Sequence, residues 1–533
     1  RTMNLYIVLG VIGSLPYCPL ARHREDKEHW YRKSQEELQR RFRKGADPRV
    51  AKNIILFVGD GMGVATVTAA RILKGQFMGE SGEEGQLSFE TFPHLALLKT
   101  YNVDSQVGDS AACATALVCG VKGNLETVGL DNRGIFNDCL SSYSARVPSI
   151  FDWAQQVGKS TGIVTTTRVT HGTPAALYAH SSNRYWEEDG KVPEFSARAC
   201  KDIARQLVED EPGRQINVIF GGGRRAWLPR GIPDPENPGE EGRRTDNRNL
   251  IRDWLTYKQR RDLNAAYVWN KEQLDKVNVS TTDYILGLFA YSHMDFETDR
   301  DSYVQPSLTH MTMKAIEILR KNPHGYVLMV EAGRIDHAHH HNNAFRALVD
   351  TLALQSAVEA VKQTVDPSNT LVVVTSDHSH VFVLGGKGTP RGNPIFGLDS
   401  SVSDIDKLPY TTILYGNGPG YNHNYPGGRE NLSNINTSHI NYVQQAAVPR
   451  LWETHGAEDV PVYAHGPQDY LVSGSVDQTF VAHFLAYSAC MGPYENECQA
   501  RMRARCSPST GAQLTFPTPV TCLALLVTSF LVN

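Results

Sequence analysis

The chain has 533 residues, enough for one large domain or several ordinary ones. A hydrophobic fraction of 41% with 21% charged residues is the balance of a globular protein with an ample core. With 53 basic against 57 acidic residues the formal charge is −4, so the basic excess of a nucleic-acid-binding protein is absent, while a local site for a small anion remains compatible with that balance.

Residues 5–15 form a short apolar run followed by Pro16, Cys18 and Ala21. This reads as a secretory signal over residues 1–21, too short to span a membrane. Residues 22–50 are highly charged with Trp30, Tyr31, Leu38 and Phe42 interspersed, and read as an exposed amphipathic arm. Six runs, at 54–58, 162–165, 216–220, 326–330, 371–374 and 411–415, have the continuous apolar character of buried parallel strands. Helical patterns such as 307–320 and 343–365 separate them. The alternation predicts an α/β fold over residues 51–500, with a large, mostly parallel central sheet sandwiched between helices. Segment 229–249, rich in Pro, Gly and charge, reads as a long surface insertion, and 385–450 as a small exposed, crown-like subdomain. At the far end, residues 520–532 are apolar behind the small residues Ser507, Ser509, Thr510, Gly511 and Ala512. Over 507–533 that order reads as a GPI-type lipid-anchor signal, favoured over a C-terminal transmembrane segment because the run is short and has no basic flank.

A secretory route permits disulfides. Of the nine cysteines, Cys490 and Cys498 form one candidate pair and Cys139 and Cys200 a second, with connectivity open at this level. Sequons at Asn278, Asn431 and Asn436 agree with glycosylation on that route.

The residues after the strands carry the chemistry. Run 54–58 leads into Gly59-Asp60-Gly61-Met62-Gly63, and run 326–330 into Glu331, Asp336, His337 and His340. Run 371–374 leads into Asp377, His378 and His380, and run 162–165 into Arg168, His171 and Thr173. Open parallel sheets bind ligands beyond the carboxyl ends of their strands, so four strands deliver carboxylates, imidazoles and a hydroxyl to one edge. A single Asp after a strand is most often a turn or cap residue, but so many buried charges together need partners or metal. His with Asp favours zinc, and carboxylate with hydroxyl favours magnesium. Asp336 and His340 share a face if their stretch is helical. Asp109-Ser110-Ala111 precedes a small-residue helical segment, which places Ser110 at a helix N-terminus suited to an anion; on this segment alone a simple helix cap is the favoured reading.

Taken together, Asp109-Ser110-Ala111 with Thr115, Gly59-Asp60-Gly61, Arg334-Ile335-Asp336-His337, Asp377-His378-Ser379-His380 and Gly416-Asn417-Gly418-Pro419-Gly420 resemble the animal alkaline phosphatases, over roughly residues 50–500. The resemblance implies phosphate-monoester hydrolysis through a phosphoserine at Ser110, with Arg184 binding phosphate. It implies one zinc on Asp336, His340 and His455, a second on Asp60, Asp377 and His378, and magnesium on Asp60, Thr173 and Glu331. His171, His337 and His380 match positions that orient ligands or substrate. It further implies the disulfides Cys139–Cys200 and Cys490–Cys498 and a homodimer embraced by the N-terminal arm. The site would lie at the cell surface on a lipid anchor, with no nucleic-acid partner. Two departures stand out. Cys113 replaces a Thr or other small residue, which is expected to be tolerated although a thiol near zinc can bind or oxidise. Glu236 and Phe289 match two calcium-site positions of the mammalian members, but Ala290 and Gln305 replace two acidic ones, so that fourth site is expected to be absent or weak. The rival readings are a phosphodiesterase or sulfatase of the same superfamily, disfavoured by Ser110 with Arg184, and a surface-binding protein with a decayed site, disfavoured by a complete ligand set.

Overall fold

A computed structural model of the chain describes residues 49–422 and 428–496. The expected signal peptide, nearly all of the arm, the anchor signal and Cys498 lie outside the described residues.

In chain order the strands are β1 (Asn53–Gly59), β2 (His94–Lys99), β3 (Ser160–Arg168), β4 (Val218–Gly222), β5 (Ala265–Val268), β6 (Tyr284–Leu288), β7 (Tyr326–Ala332) and β8 (Thr370–Thr375). There follow β9 (Ser379–His380), β10 (Phe382–Leu384), β11 (Ile413–Gly418), β12 (Ala446–Pro449), β13 (His455–Gly456), β14 (Val460–His465) and β15 (Ser475–Asp477). Ten of them make one sheet in the order β15-β2-β14-β8-β1-β7-β3-β4-β6-β5. Strands β8, β1, β7, β3, β4, β6 and β5 run parallel, and β14 enters antiparallel between β8 and β2.

Strand β1 shows why the sheet is buried on both faces. Ile54, Leu56 and Val58 pack into one core with Ala111, Leu117, Phe151, Trp254 and Phe484. Ile55 and Phe57 point the other way, into a second core with Val67, Leu73, Ile316, Leu348 and Val361. Each such side chain contributes about 1.5–3 kcal/mol when taken fully out of water. The helices that supply these cores include α1 (Val64–Phe77), α2 (Ser110–Cys119), α3 (Ile203–Glu209), α4 (Leu250–Gln259), α5 (Leu308–Leu319), α6 (Arg334–His340), α7 (Ala344–Thr364) and α8 (Phe480–Ala489). Local signals start and stop them. The Ser307 hydroxyl accepts from His310 N–H at 3.1 Å to begin α5, and the Asn343 side chain accepts from Arg346 N–H at 2.9 Å to begin α7. Helix α2 ends at Gly120, φ 71°, where a Cβ would come within 2.7 Å of the His483 ring.

One sequence expectation changes. The run at 411–415 becomes β11, which pairs antiparallel with β10 and parallel with β12 in a small separate sheet rather than joining the main one. An apolar run reports burial but not which sheet does the burying. The segment 229–249 is mostly exposed, as its composition suggests, and is anchored at a few buried points. Arg224 and Arg244, both 0% exposed, pin it: Arg224 donates to both Asp234 oxygens at 2.7 Å, and Arg244 to both Asp202 oxygens at 3.1 Å. Cys139 and Cys200 are joined by a disulfide. Asn278, Asn431 and Asn436 are exposed. Among the described residues no helix is long and apolar enough to cross a membrane.

Candidate metal centre and nucleophile

Strands β8, β1, β7 and β3 are neighbours, and their carboxyl ends are in register: Val58 faces Thr375, Gly59 faces Ala332 and Thr165 faces Glu331. Asp60 leaves β1, Glu331 sits near the end of β7, Asp377 and His378 leave β8, and His171 and Thr173 follow β3. Ser110 opens α2 with its Oγ 3.2 Å from His378 Nε2 and 3.5 Å from Asp60 Oδ1. Asp109 caps that helix, accepting from Ala111 N–H at 3.1 Å and Ala112 N–H at 3.4 Å. The helix N-terminus and its dipole therefore lie at Ser110, where an anion is favoured.

One group of ligand-type atoms surrounds Asp336. Its Oδ1 lies 3.3 Å from His340 Nε2 and 3.2 Å from His455 Nε2, and the two Nε2 atoms are 3.3 Å apart. The tautomers follow from the backbone. His340 Nδ1 donates to Glu453 O at 2.6 Å and His455 Nδ1 donates to Gly108 O at 2.7 Å. Both Nε2 atoms are thus bare acceptors aimed at a carboxylate oxygen. Acceptors facing acceptors repel unless a cation lies among them, and a carbonyl on the far nitrogen is the support a metal-bound imidazole needs. A second group repeats the pattern: His378 Nε2 is 3.5 Å from Asp60 Oδ1 and 3.3 Å from Asp377 Oδ2. Asp377 is steered by N–H donors from Gly61 at 3.0 Å and His378 at 2.9 Å.

A third group joins Asp60, Glu331 and His171. Asp60 Oδ2, Asp377 Oδ2, Glu331 Oε1 and Thr173 Oγ1 are buried with no hydrogen-bond partner among the described residues. Buried oxygens are rarely left so, and these four lie on residues of the expected ligand sets. The residues therefore fit divalent cations: imidazole with carboxylate for zinc, and oxygen donors for magnesium. The electrostatics agree. Burial and the neighbouring Asp377, Asp336 and Glu331 push Asp60 well above the usual carboxylate range. Burial, reinforced by Asp377 and opposed by hydrogen bonds from Thr165 and Thr167, pushes Glu331 up to about 7. So many buried carboxylates in contact call for positive charge.

Arg184 faces this group from the side. Its Nη1 donates to Asp109 Oδ2 at 3.0 Å and its Nη2 lies 3.2 Å from His171 Nε2. Asp109 is therefore both cap and arginine anchor. His171, His337 and His293 form a further imidazole cluster, with ring centroids 4.2 to 5.4 Å apart. Each ring turns one nitrogen to an arginine: His171 to Arg184, His337 to Arg334 at 3.2 Å, and His293 to Arg168. A metal-bound imidazole needs an acceptor there, so this cluster reads as an electropositive wall. His380 donates from Nε2 to Asp336 Oδ1 at 2.8 Å and from Nδ1 to Glu453 Oε2 at 2.5 Å; burial opposes its charge, but those carboxylates raise it to about 10. Cys113 is buried with Sγ 3.2 Å from Thr100 O, and burial first, then Asp377, raises its thiol well above the ordinary range.

All the expected ligand positions thus come together beside Ser110, and so do Arg184, His171, His337 and His380. Sequence reasoning missed Glu453, His293 and the link from Asp109 to Arg184. Of these, only Glu453 carried a signal, its place two residues before His455.

The fold and the buried cation-type clusters define a metal-binding hydrolase. A family model described as alkaline phosphatase matches residues 51–491. The tissue-nonspecific alkaline phosphatase of Gallus gallus is 48% identical over 98% of this chain and 99% of its own length. That of Homo sapiens is 45% identical over 92% and 94%, respectively. Among solved structures, the alkaline phosphatase of Thermus thermophilus superposes with a TM-score of 0.58 at 24% identity, covering 86% of this chain and 97% of its own. That of the Antarctic bacterium TAB5 superposes with a TM-score of 0.57 at 22% identity, covering 83% and 99%. The chain belongs to the alkaline phosphatase family and is by class a phosphomonoester hydrolase.

Proposed function

We propose that the chain hydrolyses phosphate monoesters to an alcohol and phosphate through a phosphoserine. Ser110 Oγ attacks phosphorus; the P–O bond to the alcohol breaks as the P–Oγ bond forms, and the proton given up by the Ser110 hydroxyl is balanced by the one taken up by the departing alkoxide. A water then attacks the phosphoserine, breaks P–Oγ and restores Ser110, releasing phosphate. Arg184 holds two non-bridging phosphate oxygens with its fork, which Asp109 orients. Helix α2 offers its N-terminal dipole to the same charge.

Two zinc ions and one magnesium ion are assigned to the three ligand groups: Asp336, His340 and His455; Asp60, Asp377 and His378; and Asp60, Thr173 and Glu331. When bound, such ions supply Lewis-acid stabilisation of the charge that builds at phosphorus and make hydroxyl and water better nucleophiles. His171 faces the third group and the phosphate arginine, His337 turns to Arg334 beside it, and His380 orients Asp336. What carries this reading is the set of bare Nε2 atoms and partnerless buried oxygens packed around Ser110. A calcium site is taken to be absent or weak, since the Glu236 carboxylate accepts from Arg224 at 2.7 Å and the Gln305 amide donates to Asp295 at 3.0 Å. The leader-like and anchor-like ends and three exposed sequons support a glycosylated, lipid-anchored cell-surface enzyme, and the family resemblance supports a homodimer.

The deciding experiment is phosphate release by Ser110→Ala from a monoester and a diester. Turnover of the monoester falls to background while metal content and fold stay as in the parent chain. Retained turnover removes Ser110 from the mechanism.

A further inference from the structure

The three ligands proposed for one zinc come from two separate stretches: Asp336 and His340 from α6 and His455 from β13. Glu453, only 1% exposed, supports two of them, Asp336 and His340, while His455 leans on Gly108 O. Its carboxylate Oε2 accepts from His380 Nδ1 at 2.5 Å, and His380 Nε2 in turn donates to Asp336 Oδ1 at 2.8 Å. Its Oε1 accepts from Val381 N–H at 2.9 Å, which fixes the carboxylate in its plane. Its backbone carbonyl accepts from His340 Nδ1 at 2.6 Å, and its N–H donates to His340 O at 3.0 Å. His455 lies two residues on, where β13 pairs with β9 and sets His455 opposite His380.

We propose that Glu453 is a positioning residue of the Asp336–His340–His455 metal site: one side chain and its own peptide fix the orientation of Asp336 and His340, and Gly108 O orients His455. It touches neither Ser110 nor the phosphate arginine, so it acts only through the ligands. Its carbonyl leaves the His340 Nε2 lone pair free for metal. Its carboxylate turns the His380 ring so that one lone pair of Asp336 Oδ1 is occupied and the direction of the remaining ones is set. A carboxylate that merely satisfied a buried hydrogen-bond network would have no reason to converge on the supports of two ligands of a single triad. The proposal rests on the ligand assignment above.

The test measures metal content against graded chelator concentrations for the parent chain, Glu453→Gln, His380→Asn, the double variant and His340→Ala. Expected is that Glu453→Gln gives up one zinc at about 10–100-fold lower chelator concentration, the usual effect of removing a ligand's outer partner. The other zinc and the magnesium should stay put, and the metal-stripped form should melt where the stripped parent does. His380→Asn should lose the same zinc, and the double variant should lose it no more readily than the worse single variant, since both act on Asp336 along one path. Glu453→Asp, one methylene shorter, is read the same way if the amide variant does not fold. Parent-like zinc retention in Glu453→Gln overturns the proposal. So does fully additive loss with His380→Asn, or an equal loss of all metals with a lowered melting temperature of the stripped form. If His340→Ala itself keeps every metal, the ligand assignment fails instead; if it loses one zinc while Glu453→Gln loses none, only the role of Glu453 fails.

Discussion

Arg184 owes its direction to a single carboxylate. Asp109 Oδ2 takes one of its amino groups, while the other Asp109 oxygen is held by Glu126 N–H at 2.9 Å and the Asn102 amide at 3.2 Å. A charge-assisted contact to phosphate is worth about 1.5–3 kcal/mol. Arg184→Ala is therefore expected to raise the inhibition constant for inorganic phosphate by about tenfold to a hundredfold, measured by competition against a monoester, with metal content unchanged. An inhibition constant within twofold of the parent's would remove Arg184 from the phosphate site. Residues at this scale were unequally legible in the sequence. Asp60, Glu331 and Asp377 stand out because each ends or follows an apolar strand, where a charge has no structural use. Arg184 lies in a loop of mixed composition and shows itself only through the family resemblance. Glu453 and His293 act by pointing at other side chains, and pointing is a property of the folded chain.

At the scale of elements, the strands were legible because β-branched and apolar runs must be buried, and most of them did enter the main sheet. The partner of β11 was not, since pairing depends on where β10 and β12 bring the chain. The surface character of 229–249 was legible, but its anchoring was not: Arg224 and Arg244 look solvated in sequence, yet both are buried on carboxylates. Arg244 also donates to Ala226 O at 3.2 Å, and its partner Asp202 caps α3 by accepting from Arg205 N–H at 2.9 Å. Arg244→Met would leave Asp202 buried without its partner, a change that costs about 3–5 kcal/mol. The expected readout is a clearly lower thermal midpoint with parent metal content in the folded fraction. An unchanged midpoint would mean that the insertion is not pinned by this pair.

At the scale of the whole molecule, mutually repelling carboxylates lie in one buried group, so the folded state without cations carries a penalty. Each tightly bound ion adds about 4 kcal/mol when it is present at a thousand times its dissociation constant. Chelation should therefore lower the thermal midpoint markedly and abolish turnover. Zinc with magnesium should restore both, and elemental analysis should find two zinc ions, one magnesium ion and no stoichiometric calcium per chain. A stripped protein that melts like the loaded one would contradict the charge argument.

Strand β2 is made early, yet its hydrogen-bonded neighbours in the sheet are β14 and β15, nearly four hundred residues later in the sequence. During synthesis it must wait, unpaired, until most of the polypeptide has been translated. His455 belongs to the same late stretch. Of the three proposed ligand sets only the one with His455 has to wait for this stretch; the other two are complete in sequence by His378, so the ion on Asp336, His340 and His455 is expected to be the last to load.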